Sequence, residues 1–268
     1  MNFGLQGKVA VITGAGGVIC GVMAKELARQ GVKVAVLDIA EAPAEAVASA
    51  IRGEGGEAIA VQANVLDKDS LTNARNRVVE RFGKVDVLIN GAGGNKKEAS
   101  TSPEMSFFDM PIDALKWVFD LNVMGAVLTT QAFGRDIADS EGTVINIASM
   151  ASIIPLTNTI AYSGAKAAVA NFTQWMAVHF NQNYSKNIRV NAVAPGFLLT
   201  NQNRFLMQKE DGSPTQRGEK VLAKTPMGRY GSPEEIAGPV LWLCSDAASF
   251  VDGAIIPIDG GFSAYWGV

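Results

Sequence analysis

Apolar runs and amphipathic stretches alternate along the chain with a period of roughly thirty to fifty residues. Lys8–Thr13 (KVAVIT) is short, β-branched and bounded by glycine, which predicts a buried strand. Val18–Gln30 carries good helix formers and stops at Gly31, where a C′ glycine belongs. The same patterns predict strands over Lys33–Asp38, Glu57–Ala63, Val85–Asn90, Gly142–Ala148, Ile188–Ala194 and Ala254–Ile258. Helices are predicted over Pro43–Arg52, Lys68–Phe82 (closed by Gly83), Ile112–Phe133 and Tyr162–Gln182. Ser232-Pro-Glu-Glu235 opens a further helix, with Ser as N-cap, Pro at N1 and Glu at N3. Pro239 lies inside that helix and is expected to remove a hydrogen bond or kink it.

Strands that are apolar on both faces, with helices between them, imply a parallel sheet covered on both sides. The expected fold is α/β, a Rossmann-type doubly wound parallel sheet of seven strands with helices on both faces. No linker or repeat interrupts the pattern, so residues 1–268 read as a single domain. The exception is Gly196–Met227, a polar insertion expected to form a lid or mobile loop.

Composition narrows the partners. Hydrophobic residues make up 48% of the 268 and charged residues 18%, as in a globular chain. Acids outnumber bases by 26 to 23 and no basic tract occurs, which argues against a nucleic-acid binder. Cys20, Cys244 and His179 have no metal-type spacing, so no metal site is expected. Met1 to Lys8 shows no secretory apolar core. The charge-free stretch Gly142–Ala165 is too rich in Ser, Thr and Asn for a membrane helix. A cytoplasmic enzyme that meets neither membrane nor nucleic acid is the expectation.

Candidate chemistry clusters after the strands. Gly14, Gly16 and Gly17 stand between the first strand and a helix opened by Val18 and Ile19, where backbone N–H groups and the helix dipole can meet a diphosphate. Such turns also merely close tight strand–helix connections. Asp38 ends the second strand, where a carboxylate can accept bonds from a ribose and repel a 2′-phosphate, favouring NAD(H); a helix cap is the plainer reading. Tyr162 and Lys166 are four apart on a predicted helix, hence on one face and about 6 Å apart along it. A nearby ammonium is expected to lower the tyrosine pKa. Ser149 follows the strand ending at Ala148, at the carboxyl edge where open α/β sheets bind ligands. Asn122 sits in an otherwise apolar helix, where an amide needs partners.

These motifs, with Asn90-Gly91-Ala92-Gly93, Pro195-Gly196-xxx-Thr200 and Asp259-Gly260-Gly261, resemble the short-chain dehydrogenase/reductase family over essentially the whole chain. The resemblance implies Tyr162 as general acid/base and Ser149 as polariser of the substrate oxygen. It implies Lys166 on the nicotinamide ribose, lowering the tyrosine pKa, and Asn122 holding a water of a proton relay. Asp38 would hold the adenosine ribose, with Asn64 and Val65 beside adenine, although the family more often has Asp at position 64. Asn90 would support the central strand, Gly91 and Ala92 would lie beside the cofactor, and Pro195, Gly196 and Thr200 would border it. The family turn reads TGxxxGxG, whereas this chain has Val18 and Cys20 at the later glycine positions, which puts the cofactor contacts there in question.

The stretches Gly91–Asn95, Asn171–Trp175, Thr200–Arg204 and Gly261–Val268 resemble the D-mannonate oxidoreductase branch of that family. That resemblance implies NAD(H)-dependent interconversion of D-fructuronate and D-mannonate by a homotetramer. Asn95, Asn201, Asn203 and Arg204 are then candidates for a sugar-acid substrate, with Arg204 able to clasp its carboxylate. Solvated loop positions are the plainer reading of each. Lys96 and Lys97 read as solvated, and His179 as a packing residue. Rival readings are another polyol or keto-acid reductase such as a gluconate 5-dehydrogenase, a 3-oxoacyl reductase, or a dinucleotide-binding regulator without catalysis. The polar loop argues against a long acyl substrate.

Overall fold

A computed structural model describes residues 3–200 and 203–267. Its strands are β1 (Val9–Thr13), β2 (Lys33–Asp38), β3 (Ala58–Gln62), β4 (Val87–Asn90), β5 (Thr143–Ile147), β6 (Arg189–Pro195) and β7 (Ile255–Ile258). They form one parallel sheet in the order β3-β2-β1-β4-β5-β6-β7. The order reverses between β1 and β4, so the connections after those strands diverge and leave a crevice at the carboxyl edge. Each expected strand is present, with ends that differ from expectation by at most two residues.

The helices are α1 (Val18–Arg29), α2 (Glu41–Gly53), α3 (Lys68–Phe82), α4 (Ile112–Phe119), α5 (Gly125–Asp139), α6 (Ile160–Asn183), α7 (Arg204–Met207), α8 (Gln216–Lys224) and α9 (Glu234–Cys244). Alternation along β1 sends Ala10 and Ile12 into a core with α1, α2 and α9. Val9 and Val11 face a second core built with Phe133 and Ile137 of α5 and Met176 and Phe180 of α6. The strand patterns were apolar on both faces because both faces are covered.

Local chemistry sets the helix ends. Asp67 caps α3 by accepting from the N–H groups of Asp69 and Ser70 (2.9 and 3.1 Å), and Gly83 closes it at φ +81°. In the capping box before α9, Glu235 accepts from the Ser232 N–H (2.9 Å). The serine hydroxyl makes no cap bond, and the helix begins at Glu234 with Pro233 as its cap. Pro239 is accommodated within α9, where its missing N–H leaves Glu235 O without a helical donor.

Two expectations need correction. The predicted helix Ile112–Phe133 is α4 and α5 joined by a π-helical turn, Asp120–Met124. The segment Gly196–Met227, expected as a loop, contains α7 and α8. Thr215 caps α8 through Gly218 N–H (3.1 Å) and donates to Leu206 O (2.7 Å), so the insertion is folded onto itself.

A buried amide ladder ties the centre of the sheet to its helices. Asn90 Nδ2 donates to Asn146 Oδ1 (2.8 Å) on the neighbouring strand and to Thr130 Oγ1 (3.0 Å) on α5. Asn146 Nδ2 donates to Thr173 Oγ1 (2.8 Å) on α6. Asn90 Oδ1 is a buried acceptor without a protein partner among the described residues. Asn146→Ala would strand a donor of Asn90 and remove the link to Thr173. The expected loss is about 2–3 kcal/mol in urea unfolding; a variant as stable as the parent would show that the ladder is not structural.

Candidate active site

The carboxyl ends of β1 and β4 interlock. Thr13 Oγ1 accepts from the N–H groups of Gly91 (3.1 Å) and Ala92 (3.2 Å). Gly14 has φ +65°, and a Cβ there would lie 2.9 Å from Ala92 Cα, so glycine is required on both counts. The turn then runs past Gly16, whose N–H donates to Asp38 Oδ2 (3.0 Å), while Asp38 Oδ1 accepts from Ala40 N–H (3.0 Å). Asp38 therefore braces the glycine turn and the start of α2, and each oxygen keeps a lone pair for a ligand. Gly17 is the N-cap of α1, and Val18 and Ile19 form its half-buried first turn.

Cys20 resolves one sequence anomaly. Its thiol is buried and points inward, filling the space over Gly91 that a side chain at 91 would need. Burial pushes it up to about 12, so it is a packing group and no nucleophile at neutral pH.

The hydroxyl-bearing residues meet across β5 and α6. Ser149 is extended (φ −166°, ψ 158°) and caps a 3₁₀ turn, Met150–Ser152, by accepting from Ala151 N–H (3.1 Å). Its hydroxyl lies near enough to Tyr162 to favour the ionised phenol. Lys166, buried on the same face of α6, donates to Ile147 O (2.7 Å) and lies 5.7 Å from the centre of the Tyr162 ring.

The electrostatics correct the expectation for Tyr162. Burial raises its phenol above the ordinary value, and the opposing influence comes from the Ser149 hydrogen bond rather than from the Lys166 ammonium. Burial also lowers Lys166 to about 8, because a desolvated ammonium is as disfavoured as a desolvated phenolate. At neutral pH the arrangement holds a neutral phenol, a proton donor, against a serine hydroxyl.

Asn122 lies in the π turn and is buried. Its amide donates to Gly94 O (2.7 Å) and Val118 O (2.8 Å) and accepts from Gly94 N–H (3.2 Å). Taking the Val118 carbonyl, four residues back, competes with the α-helical ladder and accounts for the π turn. Both amide hydrogens are engaged, so one lone pair on Oδ1 is left for a water. A Cβ on Gly93 would lie 2.6 Å from that oxygen and 3.2 Å from Lys166 Nζ, so both atoms crowd Gly93.

The remaining candidates divide. Asn64 Oδ1 accepts from Leu66 N–H (3.0 Å), and Val65 is buried against Gly125. Pro195 ends β6, Gly196 donates to Ile258 O (3.0 Å) and Thr200 is buried at the root of the insertion. Asn203 accepts from Thr200 N–H (2.8 Å) and donates to Leu198 O (2.8 Å), which engages one lone pair and one hydrogen of its amide. Arg204 is exposed, and among the described residues its guanidinium donates to Gln208 Oε1 (3.0 Å). Asn95 is exposed and donates to Ser100 Oγ (3.0 Å). Asn201 lies outside the described residues. Lys96 lies 4.3 Å over the Trp117 ring, and His179 stacks on Trp175 (4.6 Å) far along α6. Among the described residues no group of His, Cys, Asp and Glu could hold a metal.

Sequence reasoning missed Gly94, whose backbone Asn122 clamps, and Ile147, whose carbonyl takes Lys166. Both act through backbone atoms, which side-chain identity does not advertise.

Known proteins place the whole arrangement. A family model described as "Enoyl-(Acyl carrier protein) reductase" matches residues 14–263. "Uncharacterized oxidoreductase UxuB" of Bacillus subtilis (strain 168) is 48% identical over 275 residues, 98% of either chain. An "L-rhamnose 1-dehydrogenase (NAD(P)(+))" of Sphingomonas sp. (strain SKA58) is 33% identical over 96% of each chain. A crystal structure from Haemophilus influenza, of a "putative D-Mannonate oxidoreductase" with bound NAD, superposes with TM-score 0.93 at 44% identity over 98% of each chain. The chain belongs to the short-chain dehydrogenase/reductase family of oxidoreductases.

Removing the hydrogen bond that opposes burial should raise the phenol further. Ser149→Ala is expected to shift the Tyr162 titration to higher pH in an ultraviolet difference measurement referenced to Tyr162→Phe. An unshifted or lowered value would show that Ser149 does not bond the phenol.

Proposed function

We propose that the chain is an NAD(H)-dependent oxidoreductase that interconverts D-fructuronate and D-mannonate, with Tyr162 as general acid/base. The observation that carries the reading is the placement of Tyr162 and Lys166 together on α6, with Lys166 bonded to the end of the strand that Ser149 follows, on the same sheet edge as the glycine turn braced by Asp38.

The residues present fit a dinucleotide. Gly14, Gly16 and Gly17 carry no side chain where the chain doubles back on Asp38 and Ala92, and they lead into α1 with Val18 and Ile19. They would hold the diphosphate, Asp38 the adenosine ribose, and Asn64 with Val65 the adenine. Asn90 would stiffen the strand under Gly91 and Ala92, and Pro195, Gly196 and Thr200 would border the nicotinamide end with Lys166. The Asp38 carboxylate favours NAD over NADP, because it would face a 2′-phosphate with like charge. When bound, NADH supplies a hydride to the ketone carbon, and NAD⁺ accepts one in reverse.

The chain's own residues supply the rest. Tyr162, a neutral phenol, protonates the alkoxide as it forms, and Ser149 donates to the same oxygen. Donors fixed before reaction need no reorganisation, which is why they lower the barrier. The phenolate left on Tyr162 takes its proton back from solvent, through a water that the free lone pair of Asn122 Oδ1 can hold, while Lys166 would hold the nicotinamide ribose. The substrate's carboxylate calls for a cation: Arg204 has no acidic partner among the described residues and remains the candidate, with Asn95 and Asn201 for the hydroxyls. Exposed apolar side chains on the α4–π-turn segment (Phe119, Met124) and on α6 (Trp175, Val178) support the homotetramer implied by the resemblance. No described helix is long and apolar enough to cross a membrane, in keeping with a cytoplasmic enzyme that uses a small-molecule substrate.

A ketone panel tests this reading. NADH oxidation is followed with D-fructuronate, D-tagaturonate, 5-ketogluconate and an acetoacetyl thioester, and the best is repeated with NADPH. Selective turnover of D-fructuronate with NADH is expected; silence there with activity on another ketone would discard the hexuronate assignment. The reduction rate should also fall as pH rises past about 8, where Lys166 loses its charge. A rate that stays flat well above that pH would separate Lys166 from the proton path.

A further inference from the structure

The connector between Ser149 and Tyr162 has open space at its back. A cavity of ≈ 560 Å³ is lined by Ile153, Leu156 and Asn158 of the connector, by Gly164 of α6, and by Thr101 and Phe107 of the loop after β4. Neither Ser149 nor Tyr162 lines it. Met150 and Ala151 are buried, but the rest of the connector borders open space and has little packing to hold it, so its placement leans on hydrogen bonds. Most of these are internal: Ser152 Oγ to Ser149 O (2.6 Å), Leu156 N–H to Ser163 Oγ (3.1 Å) and Thr159 Oγ1 to Leu156 O (3.3 Å).

Asn158 alone reaches out of the connector. Its carbonyl accepts from Thr101 N–H (2.9 Å) and its Oδ1 accepts from Thr101 Oγ1 (3.0 Å). Among the described residues every other hydrogen bond of residues 150–159 stays within 149–163. Asn158 also has φ +69°, one of two positive values at non-glycine residues in the described chain. Such a conformation persists where surrounding contacts over-determine it. Thr101 is a firm anchor, because Ala99, two residues earlier, is fully buried in a cluster with Ala161 and Ala165 of α6.

We propose that Asn158 and Thr101 form a positioning lock that fixes the start of α6, so that the Tyr162 hydroxyl keeps its place beside the Ser149 connector through the reaction. Asn158 stands four residues before Tyr162 and directly before Thr159, the N-cap of α6, so its left-handed backbone sets the direction in which that helix begins. The lock touches neither cofactor nor substrate; it acts through the connector. The inference rests on the reading of Tyr162 as the proton donor, but it does not depend on which ketone is reduced.

The test uses Thr101→Val, which removes the hydroxyl, and Asn158→Gly, which keeps the backbone conformation and removes the amide. Thr101→Ser and Asn158→Asp preserve the bonding atoms. Each variant is assayed with NADH and whichever ketone of the four-member panel the parent reduces best, and its NADH affinity is measured by fluorescence. The first two variants are expected to lose about ten- to a hundredfold in kcat, as displaced catalytic groups do, with NADH affinity and melting temperature close to the parent's. Thr101→Ser and Asn158→Asp should restore the rate, and the double variant Thr101→Val with Asn158→Gly should be no slower than the worse single one. Unchanged kcat in both singles, losses that multiply in the double, or a loss carried by NADH affinity would overturn the lock. Failure on D-fructuronate with activity on another ketone would refute the substrate and leave this test intact. If the parent reduces none of the four, the Tyr162 titration decides: a higher pKa in Thr101→Val supports the lock, and an unmoved one refutes it.

Discussion

The hydrogen bond from Lys166 Nζ to Ile147 O is the contact on which the site depends. A buried ammonium must be satisfied, and here the acceptor is the carbonyl at the last residue of β5. The bond registers α6 against the strand. Tyr162 precedes Lys166 by four residues, a helical advance of about 6 Å. Ser149 follows Ile147 by two in extended chain, an advance of about 6.6 Å. The two elements therefore match rung for rung, lysine to carbonyl and tyrosine to serine. A spacing of two or five on the helix would turn Tyr162 off that face.

Around this pair, the fold converts backbone constraints into chemistry. The carboxyl edge is rigid because Thr13 and Gly14 are locked into Gly91 and Ala92, and because the Asn90–Asn146–Thr173 ladder ties the central strands to α5 and α6. The π turn delivers the Asn122 amide to the Gly94 backbone, which brings the loop after β4 to the same place. Burial then sets the protonation states. It disfavours charge on both Tyr162 and Lys166, and the Ser149 hydrogen bond only partly offsets this for the phenol. The consequence is a proton donor, with a lysine whose charge is easily lost.

Much of this was legible in the chain. Two-sided apolar strands and amphipathic helices announced the doubly wound sheet, and Gly83 marked the end of α3 as its conformational freedom allows. Asp38, Ser149, Tyr162 and Lys166 were recognisable because their spacing relative to strand ends is itself a geometric statement. Other features were hidden for physical reasons. Asn203 reads in the sequence as a substrate amide, and its bonds to the backbone of Thr200 and Leu198 are a second role that residue type alone does not announce. The π turn depends on a side chain capturing a main-chain carbonyl, which periodicity does not register. Helices α7 and α8 lie in a polar segment with little apolar stripe to read. The placement of Cys20 over Gly91 links residues far apart in sequence, and only the fold shows why a side chain is tolerated there.

The central claim is that the Tyr162 phenol donates the proton while the rest of the edge only binds and positions. Tyr162→Phe removes that hydroxyl and little else, so steady-state turnover and NADH binding should part company. The account predicts that ketone reduction is abolished while NADH binds as it does to the parent. Near-normal turnover in Tyr162→Phe would contradict it.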